Sequence, residues 1–327
     1  MIDTGRLPDR WRGRLRLPLI AAPMFQVSGP DLVIAACRSG VIGAFPTANA
    51  RSVDELDRWA GTITAALADT EGPVAPWCPN LIIRQPRLEA DLAVLVAHRP
   101  EVVITSVGSP GAVVGPLHDV GALVFADVGS LEHARKSVAA GADGLVLLTA
   151  GAGGNTGWLN PLAFGRAVRH IFDGPLVLAG GISDGVALRA AVTLGCDLAY
   201  MGTRFIATAE SLAGPAYKQM LVDSDADDVM LTTAFTGLRT NMLKPSMIAA
   251  GLDPAQIDEQ VTPVASDRMF GGDAAAGGPR RWSDIWSAGH TVSGVGAVLT
   301  VAELVAQTIG EYTSPAGGIG GGDPIGP

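Results

Sequence analysis

Four glycines and one amide side chain fall within the ten residues Leu148-Thr-Ala-Gly-Ala-Gly-Gly-Asn-Thr-Gly157. An apolar run, Gly144 to Ala150, feeds straight into them. Glycines at 151, 153, 154 and 157 remove side-chain bulk and let the backbone approach a ligand closely. A strand ending here presents backbone N–H groups and one side chain, Asn155, to whatever lies above its end. Asparagine donates and accepts hydrogen bonds but is no base. Two further stretches have comparable chemistry. Ala179-Gly180-Gly181-Ile-Ser-Asp184 opens a helical pattern, and Met201-Gly202-Thr203 follows an apolar run. Gly180 and Gly181 offer open N–H groups, and a helix from Asp184 would aim its dipole at an anion. Thr203 adds a hydroxyl and an N–H. Ala22-Pro23-Met24 is small and donor-poor, suited to lying under a flat ring, or simply core and turn. Asn80 has the donor and acceptor that the edge of such a ring requires, or is a capping residue.

Something must bring these residues together. Pro18–Met24, Val41–Thr47, Pro73–Asn80, Val102–Gly108, Ala122–Val128, Gly144–Ala150, Pro175–Ile182 and Leu198–Phe205 read as eight short apolar strands. Helical patterns alternate with them, one opened by Ser52 with Glu55 three residues on, a capping-box signal. The strands are continuous apolar runs, as in parallel strands covered on both faces. This pattern predicts an α/β chain folded as a (β/α)8 TIM barrel. A dinucleotide-binding sheet would put its Gly-rich turn after the first strand, where this chain has Pro-Met-Phe-Gln. In such a barrel the site lies at the C-terminal strand ends, with a phosphate in the loops after strands seven and eight. Those loops hold Gly180, Gly181, Gly202 and Thr203. Each alone reads as a tight turn; together they point to phosphate. The expected organisation is a barrel core over 1–205, a mainly helical insertion and substrate lid over 206–285, a closing barrel helix in 286–313, and a disordered Gly-rich tail over 314–327. Ala274-Ala-Ala-Gly-Gly278 reads as a loop, and the Arg-rich first 16 residues as a surface lead-in.

Composition narrows the function. Net charge is −9, with only 23 Lys and Arg and no basic run, which argues against nucleic acid as a partner. No apolar stretch is long enough for a membrane span, and Met1-Ile-Asp-Thr-Gly-Arg-Leu-Pro lacks a signal-peptide apolar core. A cytoplasmic protein is expected, with homo-oligomer formation left open. Cys37, Cys78 and Cys196 are far apart and read as buried thiols, and five scattered histidines make no metal site.

Pro-Leu-Ile-Ala-Ala-Pro-Met24, Pro-Asn80, Ala-Gly-Ala-Gly-Gly-Asn-Thr-Gly157, Leu-Ala-Gly-Gly-Ile182 and Met-Gly-Thr-Arg-Phe205 with Glu210-Ser211 resemble the nitronate monooxygenase family. Ala-Phe-Thr-Gly237 and Trp286-Ser-Ala-Gly289 extend the resemblance, which runs from about Leu17 to Leu304. These are FMN-dependent TIM barrels akin to flavin enoyl-thioester reductases. The resemblance implies FMN, with Ala22, Pro23, Met24 and Asn80 around its ring. Asp127 and the loop residues Ala150, Gly151, Gly153 and Gly154 would border it. Gly180, Gly181, Gly202 and Thr203 would hold its phosphate. Two departures stand out. Where nitronate-oxidising members carry a His in the Gly-rich loop this chain has Asn155, and where a basic residue often ends strand five it has Asp127. Asn155 excludes proton abstraction at residue 155, but a preformed nitronate needs only orientation. His290 is the candidate substitute acid or base, with a structural role as the alternative; His133 reads the same way. The implied substrate is a small molecule, an alkyl nitronate oxidised with O2. The alternatives are an enoyl or acyl thioester, handled with NAD(P)H by a reductase or related desaturase, and a non-catalytic barrel that binds a phosphate ligand.

Overall fold

A computed structural model of the chain describes residues 5–270 and 279–314. The expected tail and the Ala274–Gly278 loop lie outside the described residues, apart from Ser314. Eight parallel strands close into a barrel: β1 (Leu19–Ala21), β2 (Ile42–Pro46), β3 (Trp77–Ile82), β4 (Val102–Ser106), β5 (Leu123–Val128), β6 (Gly144–Leu148), then, after a short non-barrel strand β7 (Gly154–Asn155), β8 (Leu176–Ala179) and β9 (Leu198–Met201). The ring closes where β9 pairs with β1, with Ile20 opposite Tyr200. The chain is a (β/α)8 TIM barrel with extra helices toward its C-terminus.

Both faces of each strand are apolar because both are covered. Leu19, Ala21, Leu145, Leu147, Leu176 and Leu178 pack outward under the helices, while Ile20, Ile42, Cys78, Ile104, Phe125, Val146, Val177 and Leu198 fill the interior. Side chains alternate faces along a strand, so this parity fixes what each strand presents at its C-terminal end. Helix starts follow local chemistry. Ser52 Oγ accepts from Glu55 N–H at 3.1 Å, and the Glu55 carboxylate accepts from Arg51 N–H at 2.6 Å. Thr300 and Glu303 form a fully reciprocal cap, each accepting from the other's N–H, on the helix Val301–Thr313, which closes against the helix Gly185–Thr193.

Three expectations change. Strand eight, read through Phe205, stops at Met201, and Thr203–Ile206 is a helical turn. The stretch 206–285, read as mainly helical, contains the helices Pro215–Asp223, Lys244–Ala249 and Pro263–Phe270 and, unexpectedly, two short strands, β10 (Val229–Thr232) and β11 (Thr240–Leu243). These pair antiparallel, and β11 pairs with β7, so the insertion adds a strand to the loop after β6.

The first residues are not a surface lead-in. Leu7, Trp11 and Leu15 are buried in the barrel's interior cluster, and Trp11 is fully enclosed. Trp11 Nε1 donates to Glu101 Oε2 at 3.0 Å, just ahead of β4. Arg14 and Arg10 reach the same carboxylate at 2.7 and 2.9 Å. The arginines thus anchor a hydrophobic plug at the N-terminal end of the barrel. Burial alone would raise the Glu101 carboxyl, but hydrogen bonds and charge from Arg14, with hydrogen bonds from Arg10 and Trp11, hold it below its ordinary value. A carboxyl held low in the folded state stabilises above its unfolded value of 4.5 and loses that contribution as pH falls through the lowered one. The melting-temperature advantage of the wild type over Glu101→Gln should therefore narrow as pH drops below 4.5. A pH-independent difference in thermal scans would assign the plug's anchoring elsewhere.

Among the described residues no helix is long and apolar enough to cross a membrane, and no cluster of His, Cys, Asp or Glu could hold a metal ion. All three cysteines are free and buried.

Candidate functional site at the barrel mouth

Two residues beyond each inward core residue the strands reach their C-terminal ends. Cys78 leads to Asn80, Ile104 to Ser106, Phe125 to Asp127, Val146 to Leu148, Val177 to Ala179 and Leu198 to Tyr200. With Ala22 and Pro46 these form the floor of a cavity of about 880 Å³. That volume is toward the upper end for small-molecule sites. The floor is divided. Neighbouring strands β3, β4 and β5 give a polar arc of Asn80, Ser106 and Asp127. The strands facing them give small or apolar groups, Ala179 and Ala22 with Tyr200 between.

Within the polar arc, Ser106 Oγ donates to Asn80 Oδ1 at 3.1 Å. The Asn80 oxygen is thereby used, which leaves its NH2 for the cavity. Asp127 Oδ1 is buried and has no hydrogen-bond partner among the described residues. Burial pushes its carboxyl up to about 7. The Tyr200 hydroxyl is likewise buried and unpartnered among the described residues, and burial, then the nearby Asp127, push it well up.

Across the mouth, the loops after β8 and β9 carry Gly180, Gly181, Gly202 and Thr203, all lining the cavity. The backbone N–H groups of Gly181, Gly202 and Thr203 donate to no other described residue. Gly181 sits at φ +80°, and a Cβ built there meets nothing within 4 Å. The helix behind this loop is arranged differently from expectation. Asp184 caps Ala187 N–H at 2.7 Å, and the Glu311 carboxylate accepts from Gly185 N–H at 2.9 Å. Two carboxylates already occupy the helix start, which leaves the N–H groups of the glycine loops as the free donors on this side of the cavity. Thr203 Oγ1 accepts from Gly289 N–H at 3.0 Å and keeps its own proton to donate.

The glycines of the loop after β6 are required by packing. A Cβ on Gly153 would lie 2.7 Å from Gly289 N, because the segment Ala288-Gly289-His290 runs directly over the loop. A Cβ on Gly157 would strike the Leu148 carbonyl. Strand β7 pairs Asn155 with Thr240, whose hydroxyl donates to Asn155 Oδ1 at 3.3 Å. Asn241 Nδ2 ties the loop through the Ala152 carbonyl at 2.7 Å. Asn155 is exposed and lines the cavity.

Of the residues singled out from sequence, Ala22, Pro23, Met24, Asn80, Asp127, Gly151, Gly153, Gly154, Asn155, Gly180, Gly181, Gly202 and Thr203 lie on this one cavity. Ala150 and His290 do not line it. His290 is exposed, and its ring packs over Gly151, whose carbonyl accepts from His290 N–H at 3.0 Å. His133 lines the rim, exposed, on the helix Leu131–Ala139. Ser106 and Tyr200 were legible from strand parity but not singled out. The aromatic rim had no local signal: Trp282 meets Phe25 edge-on at 6.3 Å, and Trp286 stacks on Tyr217 at 4.9 Å.

The family profile described as nitronate monooxygenase matches residues 80–311, well over half of the chain. The chain belongs to the nitronate monooxygenase family. Among relatives, the nitronate monooxygenase of Paraburkholderia phytofirmans is 28% identical over 89% of this chain and 90% of its own length. The (3aS,4S,5R,7aS)-5-hydroxy-7a-methyl-1-oxo-octahydro-1H-indene-4-carboxyl-CoA dehydrogenase of Mycobacterium tuberculosis is 29% identical over 71% of this chain and 64% of its own. Among solved structures, FabK from Thermotoga maritima superposes with a TM-score of 0.74 at 25% identity, over 91% of this chain and 93% of that one. Nitronate monooxygenase family membership implies a flavin, and these likenesses support a flavin-dependent oxidoreductase of this superfamily.

Proposed function

We propose that this chain holds FMN across the barrel mouth and oxidises alkyl nitronates with O2. The residues present fit that cofactor on three counts. Unpartnered N–H groups of Gly181, Gly202 and Thr203 suit a phosphate. Small residues at Ala22 and Ala179 leave room for a flat ring. The polar arc Asn80–Ser106–Asp127 lies across the barrel from the phosphate loops, where the ring's hydrogen-bonding edge would fall. Bound FMN would supply the electron-accepting ring that oxidises the substrate and is reoxidised by O2.

The observation that carries the substrate assignment is Asn155. It faces the cavity, bonded to Thr240; His290 is turned onto Gly151 outside the lining, and His133, which does line the cavity, stands exposed at its rim on the helix after β5. A neutral nitroalkane requires a base to remove its proton; a nitronate is already an anion and requires only donors. The Asn155 amide donates to the nitronate oxygens while Thr240 holds its carbonyl end. In an anaerobic titration of the FMN-loaded protein, propyl-2-nitronate should bleach the flavin, and in air it should drive O2 uptake. Neutral 2-nitropropane should do neither. A flavin spectrum unchanged by the nitronate would sink this assignment.

One observation favours a second reading, an FMN- and NAD(P)H-dependent reductase, or related desaturase, of enoyl or acyl thioesters. Arg84 and Arg239 line the exposed rim of the cavity, and neither guanidinium has an ion pair or hydrogen bond with another described residue. Two free cations on a chain of net charge −9 suit an anionic carrier group. Bleaching by NADPH, with turnover of an enoyl thioester and none of the nitronate, would select this reading. A purified protein that takes up no FMN would instead indicate a barrel that binds a phosphate ligand without redox chemistry.

A further inference from the structure

The floor of the cavity contains a carboxyl with no cation to meet it. Asp127 points inward from the end of β5, two residues past Phe125. Its neighbours in the arc are the neutral Asn80 and Ser106, already bonded to each other. The titratable groups facing it from other strands are Cys78 on β3 and Tyr200 on β9, both pushed well up by burial and hence neutral. Of the other charged and titratable side chains on the same cavity, Arg84, His133, Lys136 and Arg239 stand at its exposed rim, Lys136 pairs with Glu132 at 2.6 Å, and the buried Tyr217 donates its hydroxyl to the Ser287 carbonyl and is pushed up by burial. No ion pair or hydrogen bond satisfies Asp127 Oδ1 among the described residues. A buried carboxylate left in this way is strongly disfavoured; a neutral acid with an acceptor in front of it is not.

We propose that Asp127 meets the hydrogen-bonding edge of the flavin as a neutral carboxylic acid, donating its proton to a ring acceptor, so that flavin binds tightly to the protonated protein and weakly to the ionised one. The inference rests on the flavin reading of the cavity and adds to it a proton-linked grip supplied by one residue. Its sign follows from linkage. Binding that requires the proton weakens as pH rises through the carboxyl's titration near 7. Simple linkage gives about a tenfold loss for each pH unit above that point.

The test is the FMN dissociation constant of the wild type and of Asp127→Asn, measured by flavin fluorescence quenching at steps across pH 5.5 to 8.5. The amide keeps a donor but cannot ionise. The FMN phosphate and the rim groups titrate in both proteins, so the difference between the two profiles belongs to Asp127. We expect the wild type to weaken about tenfold more than Asp127→Asn between pH 6 and pH 8. Coincident profiles would overturn the assignment of Asp127 while leaving the flavin reading intact. If neither protein binds flavin at any pH, the flavin reading falls and the inference with it. A second measurement needs no variant. Calorimetry of FMN binding to the wild type at pH 8, in two buffers of different ionisation enthalpy, should show net proton uptake. Zero uptake, or release, would overturn the inference even if Asp127→Asn does not fold.

Discussion

Gly181→Asp should purify without flavin, while Gly181→Asn should retain it. Residue 181 sits at φ +80° with open space before its Cβ, so a side chain there meets no neighbour and projects beside the cavity. Asn and Asp tolerate the left-handed region better than other side chains, and both pay a similar backbone cost. They differ in charge alone. A carboxylate about 4 Å from a phosphate is repelled by about 4 kcal/mol at an effective dielectric of about 20, roughly a thousandfold in affinity. The nearby cation, Arg204, which donates to the Ser183 carbonyl at 3.1 Å, is already set against Asp184 and Glu311 at the helix start behind the loop. The measurement is flavin released on heating, per mole of protein, with FMN dissociation constants for both variants. Equal retention by the two would mean that the phosphate is not held by this loop.

Trp11→Ala should be the most damaging single substitution to stability outside the strands. Trp11 is completely enclosed in the interior cluster at the base of the barrel. Truncating a buried tryptophan costs about 3–5 kcal/mol through lost transfer energy and the cavity left behind. Its indole N–H also donates to Glu101, which would keep Arg10 and Arg14 but lose that donor. Urea unfolding at neutral pH should show the loss as a lower midpoint. Trp11→Phe, which keeps most of the volume, should cost about 1–2 kcal/mol, mainly the hydrogen bond. A loss below about 1 kcal/mol for the alanine variant would return the first residues to the role of a peripheral strap.

The same segment marks where sequence reasoning reaches its limit. The eight barrel strands were legible because burial on both faces leaves unbroken apolar runs such as Leu145–Leu148 and Leu176–Ala179. Gly180, Gly181 and Gly202 were legible as positions at the cavity because they sit at strand ends. Trp11 was not, because a plug has no periodicity: Leu7, Trp11 and Leu15 are single apolar residues among arginines, and only the closed barrel shows where they go. Strands β10 and β11 were hidden for another reason. Each is four residues long, and β11 is stabilised by pairing with Gly154 and Asn155, far away in the chain. Helical composition on either side outweighed them locally. At the site, Asn80, Asp127 and Asn155 stood out by residue type. Tyr200 and Ser106 did not, although counting by twos from Leu198 and Ile104 reaches both. The occupied helix start at Asp184 was not legible, because Glu311, which takes the Gly185 N–H, comes from the last helix and is invisible to a local motif.

The pairing of β7 with β11 makes residue 155 the joint property of two distant stretches. Its amide is aimed by Thr240, eighty-five residues downstream. A change of length or residue in the hairpin formed by β10 and β11 would shift a side chain that lines the cavity without disturbing a single barrel strand. The barrel can therefore remain constant while the hairpin drifts. If Asn155 orients the substrate as proposed, the hairpin is a detachable selector, and exchanging residues 229–243 between relatives should move substrate preference from one chain to another.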